Sequence, residues 1–108
     1  MILKNEIIGD GVLVLTFNHP KPQNPFSSEM QAAIIEQLKT VNEDPSVKSV
    51  LLYGGEGRSF SAGGDFGEII KMEDDKLIAT LLGNIVDFYI EFLKVNKPVI
   101  AAIDKYAI

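Results

Sequence analysis

Cysteine is absent from this 108-residue sequence and histidine occurs once, at His19. Without cysteine there is no disulfide framework and no thiolate metal site, and one imidazole is too few for a histidine-based metal cluster. Positive charge is scarce as well, because 10 lysines and arginines against 15 aspartates and glutamates leave a net charge of -5. Such a surface repels polyphosphates, so nucleic acid is a poor partner and any phosphate on a ligand must be held locally. Neither G-x-x-x-x-G-K-[ST] nor G-x-G-x-x-G occurs, which leaves a nucleotide-binding reading of the glycines little support. The opening Met1-Ile2-Leu3-Lys4-Asn5-Glu6 carries no basic region followed by a long apolar run. It predicts neither a signal peptide nor a membrane span, and with the missing cysteines it fits the cytoplasm.

What is present is an ordinary globular composition, 46% hydrophobic and 23% charged. A chain of this length forms at most one small domain with a modest core. Ile2 to Ile8 and Val12 to Asn18 are rich in β-branched residues and flank Gly9-Asp10-Gly11, the pattern of a hairpin. In the second segment Val12, Val14 and Thr16 alternate with Leu13, Leu15 and Phe17, predicting a strand covered on both faces. Pro20, Pro22 and Pro25 then forbid helix and central strand and predict a fixed surface loop. Ser28 with Gln31 three residues on reads as a capping box, and Met30, Ile34, Leu38 and Val41 recur at helical spacing. This predicts a helix from Ser28 to about Asn42. Lys48 to Tyr53 reads as a buried strand, and a strand, helix and strand connected at this length imply a parallel pair with a right-handed crossover.

Gly54-Gly55-Glu56-Gly57-Arg58-Ser59-Phe60-Ser61-Ala62-Gly63-Gly64-Asp65 follows that strand. A glycine-rich loop between strand and helix leaves backbone N–H groups able to face an oxygen anion; taken alone, without the flanking runs, it reads more readily as a mobile connection. Beyond it, Asp65 reads as the cap of a helix starting near Phe66 and carrying Ile69, Ile70 and Met72. Asp74 or Asp75 opens a longer helix to about Val95, whose polar stripe is narrow, and Val99 to Ile103 reads as another buried strand. So much apolar surface needs cover from a partner chain or from further sequence, so the chain reads as cut short.

Several runs, in order, carry a family resemblance: Asn18-His19-Pro20 with Asn24, Ser28-Glu29-Met30, Arg58 to Phe66, and Lys97 to Ile103. Together they resemble the crotonase (enoyl-CoA hydratase/isomerase) superfamily. The resemblance implies an α/β fold, a spiral of ββα units, of which residues 1–108 are an incomplete N-terminal half, and assembly into homotrimers or hexamers. It also implies acyl-CoA thioester chemistry, with coenzyme A as part of the substrate and no separate cofactor. An enolate or oxyanion is held by two backbone N–H groups, the first from Ser61. Ser59, Ser61, Ala62, Gly63, Gly64, Asp65 and Phe66 would border the CoA moiety, and Lys21 would meet a phosphate, although Gln23 takes the place usual for the basic residue. Lys105 also departs from the family's small residue. The second donor and the acidic residues are expected after Ile108, so these residues by themselves are expected to be inactive.

Among the other side chains, Asp65 reads as a cap rather than a base, Glu68 as a solvated charge with a possible place in the acyl pocket, and His19 as structural. Arg58 reads as a surface charge, Phe60 and Phe66 as packing residues, and Tyr89 and Phe92 as core or interface. The competing reading is a non-catalytic CoA-binding or assembly module of the same fold.

Overall fold

The computed structural model describes residues 1–65 and 75–108. The hairpin expected at the start is there: β1 (Leu3–Ile8) pairs antiparallel with β2 (Val12–Phe17). Helix α1 (Ser28–Val41) crosses over to β3 (Ser49–Tyr53), which pairs parallel with β2. Helix α2 (Asp75–Lys94) then leads to β4 (Val99–Ala102), parallel to β3, and the sheet order is β1-β2-β3-β4. No helix among the described residues is long and apolar enough to cross a membrane. The helix expected from Phe66, with Glu68, Ile69, Ile70 and Met72, falls outside the described residues.

The alternation in β2 sorts the core. Leu13, Leu15 and Phe17 are buried with Leu3, Val50 and Leu52 against Met30, Ile34, Leu38 and Val41 of α1. Those four helical positions recur at spacings of four or three, so they form one stripe, and burying each such side chain stabilises the fold by about 1.5–3 kcal/mol. The cover expected on both faces of β2 is found on one. Val14 is buried on the other face, but Val12 and Thr16 are half-buried. The crossover helix can lie on only one side of the sheet, which accounts for the difference. Val99 to Ile103 likewise departs from its buried-strand pattern. Ile100 is 56% exposed and Ile103 54%, because β4 is the outer strand of the order. On α2, Phe88 is buried while Leu82, Val86 and Leu93 are exposed.

Helix α1 starts at Ser28 as expected, but its cap lies one residue earlier than the capping-box reading. Ser27 is the N-cap, its hydroxyl accepting from Met30 N at 3.2 Å. Gln31 is thereby freed from capping and instead donates from Nε2 to Phe26 O at 3.0 Å.

Candidate active site

Strands β2, β3 and β4 are mutually parallel, so the segments that follow them all emerge at one edge of the sheet. Residues 18–27, 54–65 and 103–108 meet there, at the carboxyl ends of parallel strands, where α/β sheets bind ligands. Backbone and side-chain hydrogen bonds stitch them together.

Asn24 is the knot between the first two. It is fully buried and its backbone is left-handed, φ 48°, a conformation that asparagine tolerates better than most residues. Its Nδ2 donates to Gly54 O at 2.8 Å and to Ser59 O at 2.7 Å. Its Oδ1 accepts from His19 N at 3.2 Å and from Arg58 Nη2 at 3.1 Å, so both ends of the amide are fully used. Arg58 is half-buried rather than a free surface charge: Nη2 also donates to Lys21 O at 3.1 Å and to His19 O. His19 has the structural place expected of it, Nδ1 accepting from Lys21 N at 3.0 Å. Gly54 must be glycine for this closure, since a Cβ there would lie 2.5 Å from Ser59 O. The loop that by itself reads as mobile is therefore anchored.

The next residues decide which donor is available. Ser59 N donates to Pro22 O at 3.2 Å and Ala62 N to Gln23 O at 2.8 Å. Ser61 N, the expected oxyanion donor, instead donates to Tyr106 O at 3.1 Å, while Ser61 O accepts from Ile108 N at 3.0 Å. These two bonds make a parallel bridge between Ser61 and Ala107. Gly63 N donates to Ser61 Oγ at 3.0 Å and Gly63 O accepts from Phe26 N at 2.7 Å. Of the four amides from Ser61 to Gly64, only that of Gly64 has no acceptor among the described residues. Gly64 is exposed, and with Gly63 it lines a cavity of about 140 Å³ whose walls are Phe26, Gln31, Ile85, Phe88, Tyr89 and Ile108. No side chain in the wall carries charge. An anion at Gly64 would therefore meet a backbone donor in an apolar setting, where hydrogen bonds are electrostatically strong.

The other expected contacts divide by burial. Ser59 and Ser61 are 7% and 1% exposed, and their backbone groups are consumed in the stitching. Ala62, Gly63 and Asp65 are half-buried, Gly64 and Lys21 are exposed, and Phe66 lies outside the described residues. Two residues had no site role in the sequence reading. Asn24 enters the sequence reading only as part of the family resemblance, with no contact assigned to it, and Gln31 is hidden by its apparent capping position.

Comparisons with known proteins bear on the family and the fold. The family model for enoyl-CoA hydratase/isomerase matches residues 8–108. The chain is 44% identical over 99 residues to carboxymethylproline synthase of Pectobacterium carotovorum subsp. carotovorum, covering 92% of this chain and 40% of that protein. It is 33% identical over 97 residues to 2,3-dehydroadipyl-CoA hydratase of Escherichia coli K12, covering 90% of this chain and 36% of the relative. The crystal structure of an enoyl-CoA hydratase from Mycobacterium smegmatis superposes with a TM-score of 0.86 at 31% identity, over 95% of this chain and 40% of that one. The chain thus spans about 40% of the length of relatives whose fold it shares. Matched along nearly its whole length, it belongs to the enoyl-CoA hydratase/isomerase family, the crotonase superfamily.

Proposed function

We propose that this chain supplies one wall of the oxyanion site of an enzyme that acts on acyl-CoA thioesters by hydration or isomerisation. The observation that carries the reading is the N–H of Gly64, which has no acceptor among the described residues and belongs to a residue lining a cavity without charged side chains. As negative charge builds on the thioester oxygen, a fixed donor aimed at it lowers the barrier without reorganising; one such donor contributes about 3–4 kcal/mol. The donor role expected for Ser61 passes to Gly64, because the Ser61 amide is spent on Tyr106. Ser61 supports the neighbouring peptide through its hydroxyl. In this reading Ala62, Gly64 and Asp65 border the CoA portion, and Lys21, exposed in the segment 18–27, meets a phosphate.

Two relatives are named for reactions of CoA thioesters, 2,3-dehydroadipyl-CoA hydratase and 1,2-epoxyphenylacetyl-CoA isomerase. They support the substrate class. A second donor and proton-transferring carboxylates from outside residues 1–108 complete the proposed chemistry. Assembly as a homo-oligomer, which would cover the apolar faces of α2 and β4, and a cytoplasmic setting complete the proposal.

Gly64→Pro tests the reading, since it deletes the N–H, whereas Gly64→Ala retains it. In the intact protein the proline variant is expected to lower kcat on an enoyl-CoA by about 10²–10³-fold while the alanine variant keeps the larger part of the activity. Equal rates for the two variants would overturn the role of Gly64. Tight binding of acyl-CoA by the unaltered protein with no turnover of any thioester would identify a non-catalytic module instead.

A further inference from the structure

Gln31 occupies the wall shared by two cavities. It lines the 140 Å³ cavity beside Gly64 and also a larger groove of about 490 Å³ between α1 and α2. Its side chain makes one hydrogen bond among the described residues, from Nε2 to Phe26 O at 3.0 Å, which assigns the other end of the amide as the oxygen. That oxygen, Oε1, is buried and has no hydrogen-bond partner among the described residues. Gln31 as a whole is 8% exposed. A buried acceptor left unpaired is unfavourable, and such groups in folded proteins call for an explanation.

The explanation follows from what would relieve it. The missing partner must be a donor. A hydrocarbon tail in the cavity leaves Oε1 orphaned. A carboxylate tail brings only acceptors, and its charge would enter a wall with no charged side chain. A neutral hydroxyl both fits an apolar wall and pairs with the oxygen. The terminal torsion of a glutamine amide is soft, so Oε1 can turn to a ligand without an off-rotamer side chain.

We propose that Gln31 is a specificity-determining residue that favours acyl groups ending in a neutral hydrogen-bond donor, with Oε1 as the acceptor. The inference rests on the acyl-thioester reading given above and adds the acyl class to it.

Hexanoyl-CoA and 6-hydroxyhexanoyl-CoA, which differ by one hydroxyl, provide the test, with affinities measured by calorimetry on the intact protein and on Gln31→Met. The unaltered protein is expected to bind the hydroxylated thioester about tenfold more tightly, the size of one net hydrogen bond to a buried acceptor. Gln31→Met, similar in length but without the amide oxygen, is expected to bring the ratio near one by loosening the hydroxylated ligand. Equal affinities in the unaltered protein overturn the inference alone, and this comparison stands even if the variant fails to fold. A tenfold ratio that survives Gln31→Met also overturns it, by assigning the contact to another group such as the Tyr89 hydroxyl. Binding of neither thioester overturns the acyl-thioester reading itself, and this inference with it.

Discussion

Asn24 Nδ2 lies 2.7 Å from the carbonyl oxygen of Ser59, joining two loops 35 residues apart in sequence. The contact fixes the residue that precedes Phe60, and so sets where the chain turns toward Ser61 and Gly64. Its second hydrogen goes to Gly54 O, at the other end of the same turn. One amide thus closes a loop that its own glycines would leave loose. The rigidity of the proposed donor therefore comes from a side chain that lines no part of the cavity wall.

Replacing Asn24 by glycine preserves the left-handed backbone and removes all four hydrogen bonds of the side chain. Gly54 O and Ser59 O would lose their buried donor, and Arg58 one acceptor. The expected loss of stability is about 3 kcal/mol, read from urea unfolding of the intact protein. Asn24→Asp keeps the size but sets carboxylate oxygens against two carbonyls, and is expected to cost at least as much. A change below 0.5 kcal/mol for either variant would show that other contacts hold the loop.

Lys97 makes a second long-range tie. Its Nζ donates to Val41 O at 2.6 Å and to Asp44 O at 2.7 Å, placing a positive charge on carbonyls at the end of α1. Asn42 adds its Nδ2 to Lys94 O at 2.7 Å and accepts from Asn96 N at 2.8 Å, so the C-terminal ends of both helices are pinned just before β4. Lys97→Met keeps the aliphatic stem and deletes the charge. It is expected to destabilise the protein by about 1–2 kcal/mol in thermal or urea unfolding. An unchanged midpoint would mean that water replaces the ammonium at no cost.

Much of the frame could be read from local pattern. The hairpin, α1, β3, α2 and β4 all follow from alternation, from helical spacing and from Gly or Pro punctuation, which are properties of neighbouring residues. The family resemblance of the runs from Asn18, Ser28, Arg58 and Lys97 also lay in the sequence itself. What escaped were facts set by distant partners. Ser27 rather than Ser28 caps α1, because the choice between adjacent serines depends on the entry path of the chain from Phe26. Val99 to Ile103 is apolar yet exposed, because exposure depends on what packs outside the strand. The Ser61 amide looked free because Tyr106, its acceptor, is 45 positions further on and reaches it only through the parallel register of β3 and β4. Gln31 was hidden for the same kind of reason: its cavity is made by α2 and by Ile108.

Asp44, in the connection between α1 and β3, supplies a pH-dependent prediction. The Ser46 hydroxyl and then the Ser46 N–H donate to its Oδ1 and hold its pKa below the ordinary 3.8, with a smaller contribution from the Lys97 charge. Those bonds favour the ionised form in the folded state, so their contribution to stability is present above the unfolded value and is lost as pH falls through the lowered folded value. The window therefore lies below 3.8, and at neutral pH the ionised carboxylate keeps its partners. Ser46→Ala removes the first of the bonds and leaves the backbone donor. The Asp44 carboxyl, followed by NMR titration, is expected to move up toward the ordinary value in this variant, and stability is expected to depend less on pH in the acid range. Asp44 is half-buried and still within reach of solvent ions, so high salt should weaken the Lys97 contribution first and the hydrogen-bonded part least. An unmoved titration curve in Ser46→Ala would assign the shift to the backbone N–H and Lys97.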